Sequence, residues 1–243
     1  MNNVVQLIPI PNLAWTFIPV IIVIGILYKW SLDPRTSIYA VIRMLIQLLL
    51  IGYALVYIFE TDNAWIVMLV LAVMLLASSW IAIRPVKQKK PGDYLKAFIS
   101  ISISGICTLW LITQAVLELQ PWFLPHYMIP LAGMIFANSM NSVSLAAERY
   151  ESEIANGTPL NKARHTALHA SLIPTINMLF AVGLVSLPGM MTGQILSGIS
   201  PHVAVRYQIM VMCMIFGSAG ISSACFLTLA KLDFTTKTKD YGN

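Results

Sequence analysis

Seven stretches of this chain are apolar for long enough to cross a bilayer as helices, and no other sequence feature restricts the fold as much. They run over about 13–30, 38–59, 64–83, 97–118, 127–147, 173–199 and 204–230. An α-helix needs roughly 17–25 residues to traverse ~30 Å of hydrocarbon at ~1.5 Å per residue. In that medium each backbone N–H and C=O must find its partner inside the protein, so long apolar runs become helices. Only 10% of the residues are charged and 58% are apolar, whereas soluble domains carry about 25% charged residues. The expected fold class is therefore all-α: a polytopic helical membrane protein of about seven transmembrane helices, with 1–243 as a single transmembrane domain.

The net charge of +5 would suggest nucleic acid in a soluble protein. Here the charges are segregated instead. Lys29 and Arg35 fall in the first interval, Arg84, Lys87, Lys89, Lys90 and Lys96 in the third, Arg149, Lys162 and Arg164 in the fifth, and Lys231, Lys237 and Lys239 in the tail. Thirteen of the fifteen basic residues thus share one side. The positive-inside rule makes that side cytoplasmic, giving an outside N-terminus and a cytoplasmic C-terminus. The lipid bilayer is the expected surrounding, and no nucleic-acid partner is expected. Residues 1–12 lack a positively charged leader or a small-residue cleavage site, so the first span is expected to persist. Cys107, Cys213 and Cys225 fall inside spans without a CxxC pair, and read as buried, unreactive residues.

Polar residues inside the spans mark the functional candidates. Arg43 and Gln47 share a helix face by their spacing, and Arg43 is close enough to the cytoplasmic end to snorkel. Span four has Ser100, Ser102, Ser104, Gly105 and Thr108, small residues that allow helices to approach closely. In span five, Asn138, Asn141, Ser142 and Ser144 are too many polar groups for a lipid-facing helix. At that depth they either line a pathway or hydrogen-bond between helices. Span six carries Pro188-Gly189 within its apolar run, followed by Met190, Met191, Thr192, Gly193 and Gln194. A broken helix in lipid needs protein or a water-filled cavity around it, so this segment is a candidate gate, with Ser186 just before it. Span seven offers Met210 and Met214 on one face, and Gly217, Gly220 and Ala224 as close-packing residues.

Between spans five and six, residues 149–171 read as two short amphipathic helices divided by Asn156-Gly157-Thr158-Pro159. Gly157 ends the first helix, while Thr158 caps the second with Pro159 at its first position. This cytoplasmic protrusion suits docking onto a partner. His165 and His169 share a helix face but have no HExxH pattern, so they read as a solvated face.

No GxxxxGK[ST] phosphate loop occurs, and no Asp or Glu lies deep within a span. The second absence counts against a proton- or sodium-coupled carrier. Ser197, Ser200 and His202 lie near the outer surface with nothing to orient them, which disfavours an intramembrane enzyme. The stretches MIFANSMNSVSLAAERY (134–150) and VGLVSLPGMMTGQILSGISPHVAVRYQI (182–209) resemble the permease family of bacterial iron-export ABC transporters, to which plant aluminium-tolerance half-transporters also belong. The resemblance implies a membrane permease domain over 1–243 with a coupling segment at 149–171, in the inner (plasma) membrane. It implies export of metal ions, iron foremost, powered by a separate ABC ATPase that uses ATP and Mg, with no cofactor bound by this chain and no catalytic residue. A homodimer would complete the transporter. Glu153, Ala155, Asn156, Gly157, Thr158 and Pro159 would dock the ATPase, resembling an EAA…G pattern. Asn138, Asn141, Ser142, Ser186, Pro188, Gly189, Met190, Met191, Thr192, Gly193 and Gln194 would form the pathway or gate, and metal ligands stay unassigned. The rival classes are an autonomous ion channel or ion-coupled carrier, and behind them the intramembrane enzyme.

Overall fold

The structure is a computed structural model that describes residues 8–87, 89 and 92–240, with the side chains of Ile10 and 232–240 left out. Lys90 of the predicted basic loop, residues 1–7 of the leader reading, and the side chains of Lys237 and Lys239 lie outside the described residues. Every named element of the described residues is a helix, with no named strand. It divides into two compact units, one comprising the chain up to Thr61 together with Leu196–Gly198, the other the remainder.

The first unit holds α1 (Ile10–Ala14), α2 (Phe17–Lys29) and α3 (Arg35–Phe59). The predicted first span is thus split at Trp15-Thr16, where the Thr16 hydroxyl donates to the Leu13 carbonyl at 2.7 Å. No residue of α2 or α3 is buried. With its carboxamide oxygen turned toward Arg43, Gln47 accepts from Nε at 3.2 Å and Nη2 at 3.3 Å, the one-face pairing their spacing predicts.

The second unit contains α4 (Ala64–Ala82), α5 (Asp93–Trp110), α6 (Pro125–Ala155), α7 (Leu160–Ala181), α8 (Gly189–Leu196) and α9 (Pro201–Asp240). Asn63 caps α4, its side-chain oxygen accepting from the Trp65 N–H at 2.9 Å. Beyond α5 the helix widens into a π segment, Leu111–Val116, closed by Leu117 N–H donating to the Ile112 carbonyl at 2.9 Å. Nothing in the sequence reading anticipated this widening. Helix α6 is the hub, packed against α4, α5, α7 and α9, and α9 also packs on α5 and α7. Ile101, Ile135, Val143, Met214 and Leu227 are fully buried at its centre.

Several sequence expectations change. Among the described residues, five helical stretches are long and apolar enough by length and composition to span a membrane: Pro11–Lys29, Arg35–Phe59, Ala64–Ala82, Asp93–Val116 and Pro201–Lys231. Helices α6 and α7 are long enough at 31 and 22 residues, but their polar ends and Asn and Ser content keep them out of that set. The two short helices expected over 149–171 are instead the ends of α6 and α7, because no residue there interrupts either helix. Cys107 and Cys213 are exposed on the chain surface and Cys225 is half-buried, so the cysteines are not core residues: their helix phase points them away from the bundle. On α9 the close-packing residues are Ser218, Ala219, Ser222 and Ser223, all completely buried. A side chain at Gly217 would meet open space, and one at Gly220 only Leu172 Cδ2 at 3.9 Å.

Gly105 is the place where two helices nearly touch. A Cβ added there would sit 2.6 Å from Phe136 Cε1 and 3.5 Å from Ile135 Cγ2. Gly105→Leu should therefore destabilise the protein by about 1–3 kcal/mol through overpacking, read as a lower thermal midpoint in detergent. Gly217→Ala, with nothing within 4 Å, should instead raise the midpoint slightly, by about 0.4–1 kcal/mol of stability, since alanine suits a helix interior better than glycine.

Candidate functional site

The turn joining α6 to α7 is built by backbone rules. Gly157 takes a left-handed φ of +76°, which a glycine adopts without steric cost. Its N–H donates to the Ile154 carbonyl at 3.0 Å, and the Thr158 N–H to the Glu153 carbonyl at 3.0 Å. Those two bonds are the Schellman closure of a helix C-terminus. The expected cap of the second helix is absent. Pro159 occupies the N-cap position of α7 with no side-chain hydrogen bond to it. The Thr158 hydroxyl turns back instead and donates to Glu153 Oε2 at 2.8 Å, because the closure already fixes the Thr158 backbone against α6.

Glu153 also pairs with Arg149 one helical turn away. The Thr158 hydroxyl foremost holds its carboxyl below the ordinary carboxylate range; desolvation, next in size, opposes it, and the Arg149 and Lys162 charges add smaller lowering effects. Burial pushes the Tyr150 phenol up, partly opposed by the Arg164 charge. Ala155, Asn156, Gly157 and Pro159 are exposed, so the turn presents backbone and small side chains outward. Beside it lies a groove of about 450 Å³ lined by Val86, Ala147, Glu148, Ile154, Ala155 and Phe226 among others. The loop after α4 is tied to the end of α6 by the Lys87 N–H donating to Glu151 Oε2 at 2.9 Å. Helix α9 is tied to α7 by Lys231 Nζ donating to Asn161 Oδ1 at 2.8 Å.

The pathway candidates fall into two separate sets. On α6, half-buried Asn138 donates from Nδ2 to the Met134 carbonyl of its own helix at 2.8 Å, and Asn141 is exposed. Ser142 is buried; its Oγ lies 2.6 Å from Ser223 Oγ and 3.4 Å from the Ser171 carbonyl it bonds. It therefore joins three helices. The second set surrounds the break, which the structure places earlier than the sequence suggested. Helix α7 stops at Ala181, Val182 turns extended with ψ 130°, and Gly183 follows at φ +83°. Ser186, exposed, belongs to this non-helical stretch. Pro188 does not break a helix; it starts α8, its carbonyl accepting from the Thr192 N–H at 3.0 Å. Pro188 stands just ahead of the first helical residue, Gly189, where its missing N–H leaves no helix bond unmade. Met190, Met191, Thr192 and Gln194 are half-buried, while Gly189 and Gly193 are exposed. Among the helices of the second unit, none forms an extensive interface with α8, so the two sets are not brought together.

The described residues hold no cluster of three or more His, Cys, Asp or Glu side chains, and His165 and His169 are both exposed. The buried serines of α5, Ser100 and Ser104, are among the close-packing residues its sequence suggested, whereas the buried serines of α4, α7 and α9 were missed. The four-residue recurrence of Ser218 and Ser222 is the signal that could have found those of α9.

Residues 10–234 match the profile of the Uncharacterised protein family (UPF0014). The chain belongs to the UPF0014 family. It is 35% identical over 243 residues to the Probable iron export permease protein FetB of Escherichia coli (strain K12), covering 90% of each chain. It is 38% identical over 188 residues to the UPF0014 membrane protein slr1647 of Synechocystis, covering 71% of this chain and 73% of the relative. Protein ALUMINUM SENSITIVE 3 of Arabidopsis thaliana is 31% identical over 236 residues, with 90% and 85% coverage. No solved structure matches this chain. This UPF0014 chain is thus a helical membrane permease.

The turn supplies two checks. Gly157→Ala puts a β-carbon on a left-handed backbone and should cost about 1–2 kcal/mol, lowering the thermal midpoint; the site is open, so no clash adds to this. The Glu153 carboxyl, depressed on folding, adds stability that is fully present above its unfolded pKa and disappears as pH falls through the lower folded pKa. Thr158→Val should raise the Glu153 carboxyl pKa in a carbon-detected NMR titration and move that loss to higher pH.

Proposed function

We propose that this chain is the membrane subunit of an ATP-driven exporter, a single permease domain that works with a separate ABC ATPase. In this reading all seven long apolar segments cross the inner (plasma) membrane, with the N-terminus outside and the 153–159 turn and C-terminus in the cytoplasm. The observation that carries it is the continuity of α6 and α7 with the turn between them. At ~1.5 Å per residue, α6 extends the motion of an exposed turn through about 46 Å of helix, past Ser142, Asn141 and Asn138. The turn is stiffened by its Schellman closure and by the Glu153 clasp, so force applied at Ala155, Asn156, Gly157, Thr158 and Pro159 is transmitted rather than absorbed.

The cargo is a metal ion, iron foremost. The name of the Escherichia coli relative supports iron, and that of the Arabidopsis relative ties the family to aluminium sensitivity. A second copy of the chain would complete the pathway, since α2 and α3 bury no residue of their own and half-buried α8 residues await a partner surface. Asn138, Asn141, Ser142 and Ser186 with Pro188–Gln194 would then form the route and its gate, α8 opening it on the outer side.

The test is reconstitution with a P-loop ABC ATPase from the same cell. ATP-dependent movement of Fe²⁺ should require both proteins, and the purified chain alone should show no ATPase activity. Asn156→Trp, which crowds the turn, should reduce ATPase co-purification at least tenfold while the chain still inserts. Equal ion flux from the chain alone would overturn the proposal in favour of an autonomous channel or carrier.

A further inference from the structure

A cavity of about 440 Å³ lies between α4, the end of α5 with its π segment, and the start of α6. Leu71, Leu109, Thr113, Met128 and Phe136 form its buried wall, while Met68, Ala72, Ile106, Trp110 and Trp122 line it from exposed positions. Met68, Ala72 and Ile106 lie within helical stretches long and apolar enough to span a membrane. The cavity therefore opens on the flank of the bundle, where a spanning protein meets hydrocarbon. No charged side chain among the described residues lines it, so it lacks the ligands a metal ion needs. None of the proposed pathway residues lines it either.

Three helices fix its depth independently. At ~1.5 Å per residue, Met68 and Leu75 lie ~6 and ~16 Å from the start of α4 at Ala64. On α6, Met128 and Phe136 lie ~5 and ~16 Å from the start at Pro125. Ile106 lies ~15 Å before the end of its span at Val116. All three describe a slot running from one membrane surface to the middle of ~30 Å of hydrocarbon, the extent of one leaflet's acyl chains. Polarity follows the same axis. Thr113, Gln114 and Trp122 stand at the surface end, and Leu75, Ile106 and Phe136 at the deep end. Gln114 Nε2 donates to Thr113 Oγ1 at 3.4 Å, and that hydroxyl donates to the Leu109 carbonyl at 2.9 Å. The π segment Leu111–Val116 supplies both residues, and such local widening is frequent at functional sites.

We propose that this cavity binds a phospholipid of the outer leaflet. One acyl chain fills the slot, and the ester end meets the Gln114 carboxamide and the Trp122 indole, donors suited to ester carbonyls. A lipid matches both features at once, being polar at the interface and apolar over the next ~15 Å. The proposal rests on the membrane crossings and orientation given above, and on neither the ATPase nor the cargo.

The test uses the full chain in lipid nanodiscs with a phosphatidylethanolamine carrying a diazirine midway along one acyl chain, adducts being located by mass spectrometry. Leu75 and Ile106 should be labelled more heavily than Val73, an exposed α4 residue of similar depth that does not line the cavity. Ala72→Trp places an indole in the mouth. Because a pocket buries roughly 70–90% of its ligand, that variant should cut labelling of Ile106 about fivefold and leave Val73 unchanged. Equal labelling of all three residues, unmoved by Ala72→Trp, would mean ordinary surrounding lipid and would overturn the proposal. Label at Val73 but not at Leu75 or Ile106 would overturn it too, with a second copy or α3 as the occupant. If Ala72→Trp does not insert, the wild-type pattern decides alone, equal labelling of Ile106 and Val73 counting against the site. The readout is lipid contact, so it stands or falls separately from reconstituted transport.

Discussion

The hydrogen bond between Ser142 and Ser223, 2.6 Å long and wholly buried, shows what holds this bundle together. In lipid the hydrophobic effect does not drive helix against helix, because the tails are as apolar as leucine. Association rests on close van der Waals approach and on the few polar groups that must find each other away from water. The Ser142–Ser223 pair ties α6 to α9, the Ser104 hydroxyl ties α5 to α9, and the missing side chain at Gly105 lets α5 meet Phe136. With those contacts in place, Ile101, Ile135 and Met214 fill the space between them.

The arrangement has a mechanical consequence. Helix α6 belongs to this tightly held core and also ends in the exposed turn, so the turn cannot shift without straining contacts inside the bundle. The loop after α4, clasped at Glu151, and α9, held at Asn161, join the same end of the unit. Three elements thus meet at one end of the unit. At the opposite end of α7 seven residues, 182–188, run without a helix, held in a local turn by the Val185 N–H on the Ala181 carbonyl and the Gly183 N–H on the Ser186 carbonyl, and α8 follows without an extensive interface in its unit.

Much of this was legible in the residues. Apolar runs between charged intervals foretold the all-α fold, and Asn156-Gly157 foretold a sharp turn, since only the left-handed region closes a helix that way. The depth and polarity of Asn138, Asn141 and Ser142 marked α6 as unlike its neighbours. Three features were not legible. Proline was read as a breaker at Pro188, yet it starts a helix, because its φ suits either end of the interruption and only the flanking backbone shows which. Thr158 was read as a cap, whereas its hydroxyl found Glu153 closer at hand. The glycines of α9 were read as its packing face, while the phase of the helix turns the serines inward.

By itself, then, the sequence determined the class of protein and the local geometry, since both follow from short-range rules: chain length against bilayer thickness, and the φ values open to glycine and proline. It also carried the family. The tertiary structure decided which polar groups face each other, which depends on helix phase and register set by distant contacts such as Gly105 on Phe136. Ser142 could equally have lined a channel or bonded a neighbour on sequence grounds. Packing of α6 against α7 and α9 made it a hydrogen-bonded junction, because a buried hydroxyl in hydrocarbon takes whichever oxygen the fold brings within reach.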